Sequence, residues 1–234
     1  MARAKVARSA SKKPFCDMSL TYTTVMLQLE RKLRAALAGT SEDPPRPVTS
    51  IELPMRLDKV IAPLVFKRLR PASVLVPVMR RKDGLRVLLT LRSETMPSHR
   101  GQISFPGGRR QDSDASAAAA AKREAEEETG IPPEAVEVIG YLDDYPTISK
   151  YMVTPVVGLV EDVPEVKPCA REVAQIFEVP LPFLLEPNNY ERRILSRDGF
   201  NVPFFELNYQ SWRIWGATAG MLRNLSQRVA SHEG

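Results

Sequence analysis

The sequence predicts an α+β fold in which a mixed sheet lies between helices. Three observations carry this. First, two pairs of apolar runs are each joined across an Asp-Gly turn: residues 73–79 (SVLVPVM) with 85–91 (LRVLLTL) about Asp83-Gly84, and residues 194–196 with 202–207 about Asp198-Gly199. Second, residues 115–131 (ASAAAAAKREAEEETGI) have the alanine-rich composition of a helix. Third, residues 215–229 (WGATAGMLRNLSQRV) read as a closing helix that buries Trp215, Ala219, Leu222 and Leu225.

Composition bounds the class. The chain has 234 residues, 43% of them hydrophobic and 26% charged, which suits one soluble globular domain with a small extension. No apolar run approaches the ~20 residues of a membrane helix. Two cysteines, Cys16 and Cys169, make no disulfide framework, so a reducing, cytoplasmic setting is expected. Two histidines, His99 and His232, leave no His-rich metal site and argue against zinc. Net charge is +5, but Arg3, Lys5, Arg8, Lys12 and Lys13 lie within residues 1–17 against Asp17 alone. The basicity belongs to that tail and the rest is nearly balanced, so neither a nucleic-acid partner nor a membrane is expected.

Three segments follow. Residues 1–17 read as a disordered basic tail, although a targeting peptide has a similar composition. Residues 18–47 hold an amphipathic helix and a Pro-rich linker. In the helix, Leu29, Leu33 and Leu37 repeat at i, i+4 and Val25 and Leu27 add apolar surface, for packing on the domain or on a second subunit in a homodimer. Residues 48–231 form the main domain. In it, residues 136–142 and 152–160 are strands, a helix or turn begins near Ala170, residues 179–181 open a docking segment, and residues 212–214 are a short strand. Residues 48–71 carry no clear pattern.

Chemistry concentrates in the alanine-rich helix. Glu124, Glu127 and Glu128 occupy i, i+3 and i+4, within roughly 100° of one face. Like charges so close destabilise a helix. An acidic run is commonly a solvated face, but three features point elsewhere. The carboxylates sit in the last turns, before Gly130 as a C′ residue, where the helix dipole disfavours them. Ala120 and Ala117, on the same face, are expected to leave open space. A Gly107-Gly108 loop precedes the helix, where backbone can approach a ligand. Asp112-Ser113-Asp114 suits the N-cap and the positive end of the dipole. Ala118, Ala121 and Ala125 form a small-residue stripe for close packing on the sheet.

Residues 123–131 (REAEEETGI) resemble the end of the box that defines the Nudix hydrolase family, G-x5-E-x7-R-E-U-x-E-E-x-G-U with U aliphatic. The front half departs: Arg109 falls where the box has glycine and Ala115 where it has glutamate, because Gly108 lies one residue early. Asp112 or Asp114 is a candidate for the missing acid. Residues 88–93 (LLTLRS) with 101–108 (GQISFPGG) are similar to the motif before the box in the coenzyme A diphosphatase branch, which carries this longer spacing. Trp215-Gly216-Ala217-Thr218-Ala219 also resembles that branch, and the likeness covers roughly residues 70–225.

The resemblance implies an α/β/α sandwich and hydrolysis of a diphosphate bond with Mg²⁺ or Mn²⁺. It places metal on Glu124 and Glu128, with Glu127 as a further ligand or the base that orients water. Glu126, about 200° from Glu124, faces away. Arg123 is expected to pair with a box glutamate, and Glu172 either adds a carboxylate or caps its local helix. Gly107 and Gly108 offer backbone N–H groups to an anion. Arg92, at a strand end, is either a phosphate contact or an ordinary surface arginine, and His99 is left outside the site. For coenzyme A the products would be 3′,5′-ADP and 4′-phosphopantetheine, and Arg92, Arg100, Arg109, Arg110 and Lys150 are candidates for its 3′-phosphate. Two other readings stand beside this one. One is a hydrolase of another nucleoside diphosphate derivative, such as a nucleotide sugar or ADP-ribose. The other is a non-catalytic nucleotide-binding module, whose expected mark, a damaged acidic cluster, is absent from this sequence.

Overall fold

The computed structural model describes residues 16–44, 46–49, 69–96, 100–161, 166–197 and 200–232. Its spine is β1 (Arg70–Arg81), an apolar strand buried over most of its length. β1 runs parallel to β7 (Tyr151–Val160), from Arg70 opposite Tyr151 to Met79 opposite Val160. Its other edge serves two partners in turn. β4 (Gly107–Arg109) pairs antiparallel with residues 72–74, and β2 (Gly84–Arg92) with residues 78–81. β2 carries β8 (Val173–Pro180) along one edge and, beyond its pairing with β1, β3 (Ile103–Ser104) on the other. β1 and β2 therefore fork, and the chain from β3 to β4 fills the fork, with the Leu75 N–H donating to Pro106 O at 2.9 Å. Pro77 lies in the gap, between the residues paired to β4 and those paired to β2. Its missing N–H would point to the same edge as that of Leu75, where no ladder bond is lost. β5 (Val136–Tyr141) and β6 (Tyr145–Pro146) pair with the far edge of β7.

Helices cover both faces. α2 (Ala117–Thr129) lays Ala117, Ala121 and Ala125 on Leu75, Met79, Leu88, Val156 and Val160, the small side chains letting the helix approach closely. The opposite face, with Val76, Val87, Leu89 and Val157, is covered by α1 (Cys16–Leu37), α3 (Leu181–Leu185) and α4 (Ala217–Ser231) through Leu33, Leu37, Leu181, Leu184, Leu222 and Leu225. The result is an α/β/α sandwich around a mixed sheet, as expected. A second sheet of β9 (Glu191–Arg197), β10 (Phe200–Tyr209) and β11 (Trp212–Trp215) joins the first where Trp212 stacks on Phe177, ring centroids 4.2 Å apart.

Several expectations are corrected. Residues 173–180 form a strand, whereas the sequence showed only a helix or turn near Ala170 and a docking segment at 179–181. Val173, Ile176 and Phe177 have helical spacing, and pairing along all of β2 overrides it. Trp215 ends β11, half-buried against Phe204, and does not belong to the closing helix. α1 begins at Cys16, so the boundary expected after residue 17 falls inside it. Within α1, Val25 and Leu27 are exposed while Leu33 and Leu37 are fully buried. The Pro-rich segment is docked: Arg46 pairs with Asp144 at 2.8 Å and donates to Leu142 O. The rest of the tail, most of residues 48–71, His99 and the Asp198-Gly199 turn lie outside the described residues.

α1 is fastened to the sheet by charge as well as by leucines. Glu30, nearly buried, accepts from Arg80 of β1 at 2.8 and 3.0 Å and from Arg34 at 3.0 Å, and Arg34 donates two bonds to Glu137 of β5. Hydrogen bonding from Arg80 holds the Glu30 carboxyl below the usual carboxylate range, against the opposing effect of burial. A depressed carboxylate stabilises the fold fully above its unfolded pKa and loses that contribution as pH falls through the folded value. Glu30→Gln is therefore expected to cost about 1–3 kcal/mol at pH 7. The gap from wild type should close as urea denaturation is repeated at pH values falling below about 4. A gap that stays constant with pH would show that the ion pair is not its source.

Candidate active site

α2 is built to present carboxylates at its far end. Ser116 caps its start, with its hydroxyl accepting from the Ala119 N–H at 3.0 Å, and Glu42 takes the Ala118 N–H. The expected cap at residues 112–114 is thus displaced. Asp114 instead receives Arg123 through two bonds of 3.0 Å and serves as an anchor for that arginine. At the other end Gly130 is left-handed, φ 71°, and returns its N–H to Glu126 O. Orphan carbonyls beyond it are used by the chain that follows: the Cys169 N–H donates to Glu128 O and the Lys167 N–H to Thr129 O. This strap ends in a turn that carries Glu172, whose carbonyl accepts from Ser93 at the end of β2.

The glutamates differ sharply in environment. The Glu128 side chain is 3% exposed, that of Glu124 15% and that of Glu127 58%. Glu126 is exposed, as expected. Ala117 and Ala120, expected to leave space, are instead packed with no more than 1% exposure. Burial pushes the Glu128 carboxyl up to about 8; Arg92 opposes this, Glu124 and Glu172 add to it, and a backbone hydrogen bond from Gly107 lowers it. Burial also raises Glu124, with Arg123 opposing and Glu127 and Glu172 adding.

The Gly-Gly segment sets the floor. At Gly108 a Cβ would stand 2.5 Å from the Glu124 Cδ and Oε2, and at Gly107 it would stand 2.5 Å from Ser73 O. Neither position admits a side chain without moving strand or carboxylate. Arg92, the last residue of β2, aims Nη1 at Glu128 Oε1 from 3.7 Å, while its Nε has no partner. Arg123 binds Glu124 at 2.8 Å and Glu127 at 3.3 Å, which bears out structural pairing with the box glutamates. Arg100 donates to Met96 O, Arg109 is exposed at the end of β4, and Lys150 sits in the turn before β7.

Glu128 Oε2 is buried without a hydrogen-bond partner. A carboxylate oxygen in that state, beside Glu124, fits a divalent cation by hard-oxygen chemistry. Among the described residues no three His, Cys, Asp or Glu side chains converge on one point. Two carboxylates leave the remaining positions to water and phosphate, the manner in which Mg²⁺ binds. Sequence reasoning found the glutamates and glycines. It missed the clamp from Asp114 to Arg123 and the strap at residues 167–172, which are long-range contacts with no local pattern.

A strand fork presses a glycine backbone onto a buried carboxylate helix inside an α/β/α sandwich. The chain belongs to the Nudix hydrolase family: the NUDIX domain profile matches residues 69–197. It is 41% identical over 188 residues to the uncharacterized Nudix hydrolase NudL of Cronobacter sakazakii, covering 75% of this chain and 96% of that one. The Escherichia coli protein of the same name is 44% identical over 161 residues, 68% of this chain and 83% of that one. Among solved structures, a MutT/nudix family protein from Enterococcus faecalis aligns with a TM-score of 0.43 and 16% identity, over 75% of this chain and 71% of that one. Among the described residues no helix is long and apolar enough to cross a membrane.

Gly108→Ala tests the floor. The three atoms nearest its Cβ all belong to the Glu124 carboxylate, the end of a side chain that can shift, so the melting temperature should stay close to wild type. Mn²⁺ affinity, followed by electron paramagnetic resonance, should fall about 10-fold. Unchanged affinity would mean that the Glu124 position does not matter to metal.

Proposed function

We propose that this Nudix hydrolase cleaves the diphosphate of coenzyme A or its derivatives in the cytoplasm, releasing 3′,5′-ADP and 4′-phosphopantetheine or its acyl form. The observation that carries the metal chemistry is the buried, half-unpartnered Glu128 beside Glu124, with Gly108 against the Glu124 carboxylate. Support for the substrate comes from residues 88–93 and 101–108, which are similar to the coenzyme A diphosphatase motif and here form one arm of the strand fork and the segment that fills it.

Glu124 and Glu128 would hold Mg²⁺ or Mn²⁺. Such an ion neutralises charge on a diphosphate and makes a bound water more acidic. The protein's own groups do the rest. Glu127, the exposed member of the set, reaches solvent and accepts the proton of the attacking water as that oxygen bonds to phosphorus and the bridging P–O bond breaks. Arg92 offers its partnerless Nε to a phosphate oxygen. Gly107 gives its N–H to the Glu128 carboxyl and Gly108 pairs with Ser73 of β1, so this segment shapes the floor beneath the same anion. Arg123, already committed to Asp114, Glu124 and Glu127, holds the carboxylates in place.

Turnover of a panel containing coenzyme A, dephospho-coenzyme A, ADP-ribose and a nucleotide sugar, with Mg²⁺ or Mn²⁺ and chromatographic identification of products, tests the reading. Coenzyme A is expected to be hydrolysed in preference to dephospho-coenzyme A, through recognition of the 3′-phosphate. Preference for ADP-ribose or a nucleotide sugar would move the assignment to that substrate class, and no turnover by folded, metal-binding protein would favour a nucleotide-binding module.

Glu127→Gln should lower kcat by about 10²–10⁴ with little change in stability, because removing one of three clustered like charges relieves repulsion. Near-normal kcat in that variant would remove Glu127 from the mechanism.

A further inference from the structure

Ser73 of β1 is fully buried, and its Oγ has no hydrogen-bond partner. Buried hydroxyls are nearly always partnered, and one that is not calls for a reason. Its place supplies one. Leu75 and Met79 face α2, and strand alternation puts Ser73 on that same face, one step beyond Leu75.

Ser73 lies directly opposite Gly108 on one side and Thr154 on the other. A Cβ on Gly108 would stand 2.5 Å from the Glu124 carboxylate. Opposed residues place their Cβ positions about 4.5–5.5 Å apart, so the Ser73 Cβ is about 5 Å from a point in contact with that carboxylate. On the other side, the Thr154 hydroxyl already donates to Asp144 Oδ1 at 2.9 Å. From the helix side, Glu124 is held by Arg123 Nη1 at 2.8 Å.

We propose that Ser73 is a positioning residue for Glu124: its hydroxyl, unpartnered where the two side chains now stand, becomes the donor to the carboxylate from the sheet side, opposite Arg123, when Glu124 turns to meet a divalent ion, and fixes that orientation. This rests on the reading of Glu124 as a metal ligand. Carboxylates that bind metals are themselves oriented by hydrogen bonds, and loss of such a partner typically weakens metal binding 10–100-fold. The role asks for a small side chain with one donor, so alanine removes it and threonine keeps it.

The test uses the full chain as wild type, Ser73→Ala, Ser73→Thr and Glu124→Gln, with Mn²⁺ affinity read by electron paramagnetic resonance and the melting temperature of each protein measured without metal. Ser73→Ala is expected to weaken Mn²⁺ binding about 10-fold, with a metal-free melting temperature equal to or above wild type. Ser73→Thr should restore the affinity. Wild-type affinity in Ser73→Ala overturns the inference. So does a lowered metal-free melting temperature with unchanged affinity, which would assign the hydroxyl a structural role toward Thr154. If Glu124→Gln loses affinity and Ser73→Ala does not, only the role of Ser73 fails. If Glu124→Gln binds Mn²⁺ as wild type does, the ligand assignment fails and this inference falls with it.

Discussion

A carboxylate kept almost entirely out of water is the constraint on which the rest depends. Placing Glu128 under the strand fork raises the free energy of its charged form, as the upward push on its pKa shows. The fold holds it there from several directions. The alanine stripe fixes the helix close to the sheet. Cys169 and Lys167 bind the carbonyls at its end. The Gly107 backbone donates to the carboxyl, and Arg92 faces it from β2. Local stability is spent in that corner for a site whose electrostatics favour a cation.

The fork explains why the glycines are needed. If β1 and β2 stayed paired along their whole length, no backbone could come between them to meet the helix. They part where Pro77 offers no donor, and the β3–β4 segment enters with one side on each strand. Glu124 then rests where the Cβ of residue 108 would be. The odd spacing between the glycines and the box arginine is accommodated in the loop before α2, where Asp114 reaches Arg123 and Ser116 provides the cap.

Much of this was legible in the sequence, for identifiable reasons. The Asp83-Gly84 hairpin, the pairing of β9 with β10, the alanine-rich helix and its glycine stop are local signals, and each sits close to where it was read. The glutamates were legible because helical periodicity is local too. β8 was not, since Val173, Ile176 and Phe177 carry helical spacing and only the edge of β2 makes them a strand. Trp215 looked like the first buried residue of a helix, yet Gly216, with φ 67°, starts the helix after it. The ranking of the three glutamates by exposure was also hidden, because it depends on Gly108 and Arg92 arriving from other elements.

The parallel pairing of β1 with β7 has a consequence for how the molecule is made. Its partners are some eighty residues apart, from Arg70 with Tyr151 to Met79 with Val160. On a ribosome the acidic helix emerges before β7 exists, so one side of its docking surface is still missing when its carboxylates first meet solvent. Long-range strand pairing of this kind is slow and leaves apolar edges exposed meanwhile. Like charges at Glu124, Glu127 and Glu128 work against the helix on its own, so the sheet that β7 completes is what holds it in place.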